Sequence, residues 1–171
     1  GAGWSEFKAI EREIQVLQGL NHKGIPHHVG SFETDDGYCI VQEYKNAQPL
    51  STPRSFDPDE VKHIAISVLE ILVYLQNHVP PLIHRAIKPK NILIDEQLNV
   101  YLIDFGFARI GGASTMSSLV AGTFGFMAPE QIYNKDLTEA TDLYSLGATL
   151  IALLTGTKST EMDTLIDEDG K

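Results

Sequence analysis

The sequence predicts an α+β fold that is mainly helical, and two patterns carry this prediction. Apolar residues recur at spacings of three and four over residues 5–20 and lie on one face of residues 58–77, which is typical of helices. Two short β-prone segments, 25–32 and 38–44, come early in the chain and flank a turn that contains Asp36-Gly37, so they form a hairpin. One small early sheet followed mostly by helix is an α+β order.

Each predicted helix has a recognisable start or face. Residues 5–20 form an amphipathic helix that Ser5 caps, and Asp57 with Pro58 begins the helix 58–77. The helix 138–154 is so apolar that we expect it to be buried on most sides. Short apolar pieces at 82–83, 92–94 and 100–103 predict small strands around a site. On the helix 58–77 we expect one buried face, formed by Val61, Ile64, Ala65, Val68, Leu69, Leu72 and Leu75.

Composition excludes several classes of function. The chain has 171 residues, of which 43% are hydrophobic, and a net charge of -10. An acidic domain repels polyanions, so nucleic acid is not an expected partner. No apolar run approaches the roughly 20 residues of a membrane span, so no membrane partner is expected. The single Cys39 excludes an internal disulfide, and we expect a reducing, cytoplasmic location.

Three motifs follow one another in the second half of the chain. They are the run from His84 to Asn91 (His-Arg-Ala-Ile-Lys-Pro-Lys-Asn), Asp104-Phe105-Gly106, and Ala128-Pro129-Glu130. In this order they resemble the catalytic loop, the magnesium-binding motif and the end of the activation segment of eukaryotic-type Ser/Thr protein kinases. The particular residues in these motifs resemble those of the bacterial, cyanobacterial-type members of that family.

The resemblance implies ATP and Mg²⁺ as cofactors and a protein as substrate. Asp104 is then expected to chelate Mg²⁺ across the β- and γ-phosphates, and Asn91 a second Mg²⁺. Lys88 is expected beside the γ-phosphate as a point charge. Thr123 matches the threonine that bonds the catalytic aspartate and this lysine.

Position 86 departs from the family. There the family has the aspartate that accepts the proton of the substrate hydroxyl, whereas this chain has Ala86. Such a group contributes on the order of 10²–10⁴ in rate, so we expect at most trace kinase activity. Two origins stay open, a natural pseudokinase or an engineered replacement, and we favour the second because Lys88, Asn91 and Asp104 are intact. The alternative function is a pseudokinase scaffold that acts through protein–protein binding.

The resemblance assigns further residues around the nucleotide. Glu13 matches the ion-pairing glutamate of the regulatory helix, although an exposed helix acid is the plain alternative. Glu43 and Lys45 match the hinge and would contact adenine through backbone groups, with Gln42 as gatekeeper. Leu93 would cover the adenine, or else be ordinary core.

Other assignments concern support and regulation. Leu17, Phe105 and His84 resemble the stacked hydrophobic spine, and Asp142 resembles the buried aspartate that binds the catalytic-loop backbone. The activation segment runs from Asp104 to Glu130. Arg85 could pair a phosphate in it; a hydroxyl-rich loop that is never phosphorylated is the alternative. The candidate phosphosites are Thr115, Ser117 and Ser118.

The ends of the chain also depart from the family. No glycine-rich loop and no strand lysine precede Glu13, and the chain stops soon after the helix 138–154. We therefore expect one partial kinase domain over 1–171, with an N-lobe remnant and hinge at 5–45 and a partial C-lobe at 46–171. We then expect weak or absent ATP binding, and either homo-oligomerisation through the truncated faces or pairing with a partner protein. Without its usual arginine, Glu130 would be left unpaired, which is destabilising.

Overall fold

The computed structural model describes residues 8, 11–12, 14–35, 37–105, 109–110 and 123–167. Residues 8, 11–12 and 14–18 are helical, as predicted for this part of the chain. The predictions for Ser5, Glu13, Thr115, Ser117 and Ser118 lie outside the described residues. The helices are α1 (Pro58–Asn77), α2 (Pro129–Ile132) and α3 (Glu139–Thr155). The strands are β1 (His28–Thr34), β2 (Gly37–Gln42), β3 (Gln48–Pro49), β4 (Leu82–Ile83), β5 (Ile92–Ile94), β6 (Val100–Leu102) and β7 (Arg109–Ile110).

Helix α1 begins as the sequence predicts. The Asp57 carboxylate accepts a 2.8 Å hydrogen bond from the Glu60 N–H, and the Glu60 carboxylate accepts one of 3.2 Å from the Asp57 N–H. This reciprocal pair satisfies donors that the first turn leaves free. One predicted face residue is wrong: Leu69 is 40% exposed. Leu69 follows the buried Val68 by one residue, which is about 100° around the helix.

The predicted hairpin is confirmed, but it is not the only sheet. Strands β1 and β2 pair antiparallel, with Thr34 opposite Gly37. Two further small sheets have the orders β3-β5-β6 and β4-β7. The prediction of one early sheet is therefore wrong, because strands of two or three residues give no periodicity that would reveal their partners.

Helix α3 corrects a second prediction. It is not buried on most sides, since Leu143, Ile151 and Leu154 are 44%, 49% and 59% exposed. Much of its inner face is polar. The hydroxyl and carboxyl groups there cost little to bury, because they have hydrogen-bond partners. The buried residues of α3 are Thr141, Asp142, Ser145, Leu146, Thr149 and Ala152.

The main core lies between α1, α3 and the short strands. The core includes Ile87 of the loop 84–91 and Phe105 of the segment 103–105, so it supports both. A backbone hydrogen bond of 2.8 Å from the Leu102 N–H to the Gly24 carbonyl ties this core to the turn before the hairpin. The central members are Ile64, Val68, Leu72, Leu75, Ile92, Leu102 and Leu146.

Candidate active site

The loop that begins at His84 is anchored from below by α3. One Asp142 oxygen accepts from the His84 N–H at 2.8 Å, and the other accepts from the Arg85 N–H at 3.0 Å. Burial raises the pKa of the Asp142 carboxyl, and the hydrogen bonds from the Arg85 and His84 N–H groups oppose part of that increase. Bonding through both oxygens explains how a carboxyl group can be buried inside this apolar helix.

The ring of His84 has one possible arrangement of its proton. Its Nδ1 lies 3.2 Å from the Ala86 N–H, so Nδ1 accepts. Its Nε2 lies 2.9 Å from the Ile103 carbonyl, so Nε2 carries the proton and donates. Burial lowers the pKa of His84, and the Asp142 charge opposes the decrease only in part. The neutral ring therefore joins the loop to the segment before Asp104.

Ala86 sits inside an intact backbone network. It is 4% exposed, its N–H donates to His84, and its carbonyl accepts from the Asn91 side-chain nitrogen at 2.7 Å. Since Asn91 donates from Nδ2, its Oδ1 is the atom that remains for a cation. The methyl group of Ala86 supplies no polar atom where the family has a carboxylate.

Lys88 and Thr123 meet across the site. The Lys88 ammonium donates to the Thr123 hydroxyl at 2.9 Å. The resemblance gives Thr123 two partners, a lysine and an aspartate. In this chain the contact with the lysine is present. The aspartate is replaced by Ala86, whose methyl group cannot accept a hydrogen bond from Thr123.

Asp104 and Phe105 lie beside the predicted spine and gatekeeper. The rings of Phe105 and His84 pack edge to face with centroids 4.7 Å apart. Asp104, Phe105, Leu17 and Gln42 line one cavity of about 270 Å³. Asp104 adopts a left-handed backbone with φ 62°, which is uncommon for a residue with a side chain and often found at functional sites.

The hinge residues are held by each other and by the neighbouring loop. The Lys45 ammonium lies 2.7 Å from the Glu43 carboxylate and 5.1 Å from the centre of the Tyr101 ring. The hydrogen bond from Lys45 and that from the His27 N–H lower the pKa of Glu43. The Glu43 N–H donates to the His27 carbonyl at 2.8 Å, which fixes the course of the hinge.

Leu93 lies on the outer face of its strand. It is half-buried, whereas its neighbours Ile92 and Ile94 are buried on the opposite face. It stands opposite Pro49 on one side and Tyr101 on the other in the three-stranded sheet. Leu93 is therefore not one of the fully buried core residues.

The expectation that Glu130 lacks a partner is wrong. Its carboxylate accepts a 2.7 Å hydrogen bond from the Thr141 hydroxyl, in the first turn of α3. Thr141 is 0% exposed, so the donor of this bond is buried, whereas Glu130 is half-buried. A hydroxyl on the packed helix thus satisfies the carboxylate that the family pairs with an arginine.

One residue of the site was missed from the sequence. The Gln131 side chain accepts from the Ala128 N–H at 3.1 Å and donates from Nε2 to the Arg85 carbonyl at 2.9 Å. Glutamine at the third position of a helix is a local signal for the first of these bonds. No local pattern predicts the second, because it joins residues 46 positions apart.

The arrangement of loop, aspartate, hinge and buried α3 carboxylate defines the class of protein. Residues 2–168 match the family model for the protein kinase domain, so the chain belongs to the protein kinase family. More particularly, its relatives place it among the eukaryotic-type (Hanks-type) Ser/Thr kinases.

Three relatives illustrate the range of this similarity. Serine/threonine-protein kinase 36 of Pongo abelii is 35% identical over 92% of this chain and 12% of its own length. The bacterial serine/threonine-protein kinase D of Synechocystis sp. is 38% identical over 86% of this chain and 31% of its own length. Serine/threonine-protein kinase cds1 of Schizosaccharomyces pombe is 35% identical, and the match spans 35% of it. The chain thus spans a minor part of the curated relatives it matches.

The described residues contain neither a membrane-spanning helix nor a cluster of metal-binding side chains. None of the helices in that part of the chain is long and apolar enough to cross a membrane. No group of three or more His, Cys, Asp or Glu side chains there could hold a metal ion by itself.

Proposed function

We propose that the chain carries the nucleotide and protein-substrate site of a Ser/Thr protein kinase but does not transfer phosphate efficiently. The observation that carries this proposal is Ala86, whose backbone is held in place and whose side chain has no proton acceptor. Its N–H and carbonyl are both hydrogen-bonded, so the loop around it keeps its shape. The defect is therefore chemical rather than structural.

The remaining side chains fit an ATP–Mg²⁺ complex. Asp104 and Asn91 offer a carboxylate and an amide oxygen, the hard donors that Mg²⁺ prefers. Lys88 supplies a positive charge for the γ-phosphate, and its bond to Thr123 holds that charge at the site. The backbone of Glu43 and Lys45 would hold the adenine. Bound Mg²⁺ would neutralise the charge on the phosphates during transfer.

Without a carboxylate at position 86, the site lacks the group that would orient the substrate hydroxyl and accept its proton. With aspartate, the substrate hydroxyl would be oriented and would pass its proton to the carboxylate during attack on the γ-phosphorus. With Ala86, the attacking oxygen has no such acceptor. The loss is about 10²–10⁴ in rate, or roughly 3–5 kcal/mol of transition-state stabilisation.

A scaffold function is the second candidate. An intact kinase-like frame without a base suits a protein that binds a partner and does no chemistry. Exposed apolar side chains on α3 and β1 favour this candidate, since they offer surface for a partner protein or a second copy. They are Leu143, Ile151, Leu154, Val29 and Phe32.

The test restores the base in the longest natural chain that contains these residues. We expect Ala86→Asp to raise transfer of labelled phosphate to a basic protein substrate by about 10²–10⁴. Asp104→Ala in the restored protein should abolish the gain, because it removes the Mg²⁺ ligand.

Two results bear on the alternatives. Sizeable transfer by the unmodified chain, lost on Asp104→Ala, would overturn the proposed inactivity. A calorimetric titration of the 171-residue chain with Mg-ATP accompanies the assay. We propose weak binding, because this chain has no glycine-rich phosphate loop; micromolar affinity would contradict that.

A further inference from the structure

We propose that Gln131 is a positioning residue that sets the direction of the side chain at position 86 through the Arg85 carbonyl. The proposal rests on the proposed function, because it concerns the reaction in which the family uses that side chain. The third of the three motifs ends at Glu130, and the resemblance assigns no role to Gln131.

The backbone of Arg85 needs support. Its φ of 73° lies in the left-handed region, which is strained for a residue with a side chain. Such a conformation persists only where the surroundings fix it. At Arg85 both peptide groups are held by side chains: the N–H by Asp142 at 3.0 Å and the carbonyl by Gln131 at 2.9 Å.

The bond to Gln131 fixes a particular peptide plane. The Arg85 carbonyl and the Ala86 N–H belong to the same planar peptide unit. Gln131 holds the oxygen of this unit, and His84 Nδ1 holds its N–H at 3.2 Å. The next peptide unit is held where Asn91 donates to the Ala86 carbonyl at 2.7 Å. With both planes fixed, the direction of the Cα–Cβ bond at position 86 is fixed as well.

The other end of Gln131 is itself anchored. Its Oε1 accepts from the Ala128 N–H at 3.1 Å, at the start of α2. The next residue back, Glu130, is bonded to the buried Thr141 hydroxyl at 2.7 Å. Gln131 therefore transmits the position of α2, and with it α3, to the peptide unit before position 86. A 1 Å displacement of a catalytic group can cost about a hundredfold in rate, so this support matters for chemistry.

The variant that separates the two bonds is Gln131→Glu. A carboxylate can still accept from the Ala128 N–H, but it cannot donate to the Arg85 carbonyl. Gln131→Met has a similar length and removes both bonds. Gln97→Glu is the matched control, because it makes the same change of charge at an exposed turn away from the site.

The first measurement needs no activity. In the 171-residue chain, amide hydrogen exchange by NMR should show the Ala86 N–H exchanging about tenfold faster in Gln131→Glu and Gln131→Met. Gln97→Glu should leave it unchanged. If neither Gln131 variant changes this exchange, the proposal is wrong.

The second measurement uses the Ala86→Asp protein in the longest natural chain. There Gln131→Glu should lower kcat by about 10- to 100-fold while KM for ATP stays the same. A purely structural role would weaken ATP binding and lower the unfolding midpoint together, and that result would overturn the proposal. If Ala86→Asp alone shows no transfer, the proposed function fails, while the exchange result still decides the role of Gln131.

Discussion

His84 has little freedom in how it carries its proton, because each ring nitrogen already has a partner. Nδ1 accepts from the Ala86 N–H at 3.2 Å, so a proton added there would face another donor. Nε2 already carries a proton toward the Ile103 carbonyl. Protonation would break a bond of the loop and place a charge in the core, which agrees with the lowered pKa of this ring.

We predict that His84 stays neutral in the folded protein well below pH 6.5, the ordinary pKa of histidine. The unfolded chain takes up a proton on this ring near that pH, and the folded chain does not. The contribution of His84 to the free energy of unfolding is therefore complete above about pH 6.5 and decreases as the pH falls below it.

NMR of the imidazole carbons tests this prediction directly. The His84 signals should keep their neutral positions as the pH is lowered below 6.5. Burial and Lys23 also lower the pKa of His22, so the His22→Asn variant separates its contribution to stability. A His84 ring that titrates near pH 6.5 while the protein remains folded would contradict the prediction.

Motifs identify residues that act at the site, but they do not identify residues that act through the backbone. Ala86, Lys88 and Asp104 were found because their types and spacing are fixed by phosphoryl-transfer chemistry. Gln131 was not found, because its side-chain N–H donates to a backbone carbonyl, a group that every residue has. The Thr141 bond to Glu130 was missed for a related reason, since hydroxyl side chains in a helix usually bond their own backbone.

At the scale of elements, helix α3 has an inner face made of hydroxyl groups. Thr141, Ser145 and Thr149 follow at four-residue spacing and are all buried. The Thr141 hydroxyl donates to Glu130 at 2.7 Å, and the Ser145 hydroxyl donates to the Phe126 carbonyl at 2.6 Å. These bonds join α3 to the segment 123–132 and fix the position of that segment along the axis of α3.

We predict that Thr141→Val destabilises the protein by about 1–3 kcal/mol, although valine has the same shape. The substitution leaves the Glu130 carboxylate without this donor and the Thr138 N–H without its 3.1 Å acceptor. Urea unfolding measures the change. Thr155→Val at the exposed end of α3 is the control and should cost less than about 0.5 kcal/mol. Equal effects at both positions would contradict the prediction.

The limits of the helices could be predicted better than their orientation. Helix α1 extends over Pro58–Asn77 as expected, because Asp57, Pro58 and the following acids form a strong start signal. Helix α3 was placed to within a residue at either end, but its buried side was not. Apolar side chains at the surface of this helix misled a prediction that counts hydrophobicity alone.

At the scale of the whole molecule, a 3₁₀ segment after α3 packs against the part of the chain that contains Gly125 and Phe126. Residues Ser159–Leu165 follow α3 and bring Met162 against Phe126 and Ala152 in a second, smaller core cluster. Gly125 lies at this contact with φ 95°. A Cβ there would lie 2.6 Å from the Met162 Cβ and 2.9 Å from the Asp163 nitrogen. Only glycine allows the two segments to approach this closely.

We predict that Gly125→Ala lowers the free energy of unfolding by about 3 kcal/mol or more, since it combines backbone strain with a steric clash. Gly156→Ala is the matched control, because Gly156 also has a positive φ of 67° but no atom within 4 Å of a new Cβ. It should cost about 1 kcal/mol, the cost of the left-handed backbone alone. Thermal and urea unfolding of both variants measure the difference. Losses of the same size would show that the contact with Met162 is unimportant.

The exposed apolar side chains of the β1–β2 hairpin have a practical consequence for all of these measurements. Val29, Phe32 and Val41 are 67%, 54% and 40% exposed, and near neutral pH the net charge of -10 keeps such surfaces apart by mutual repulsion. The isoelectric point is about 4.9, so that repulsion vanishes during an acid titration. Colloidal association will then compete with unfolding, and light scattering must accompany any acid titration that approaches this value.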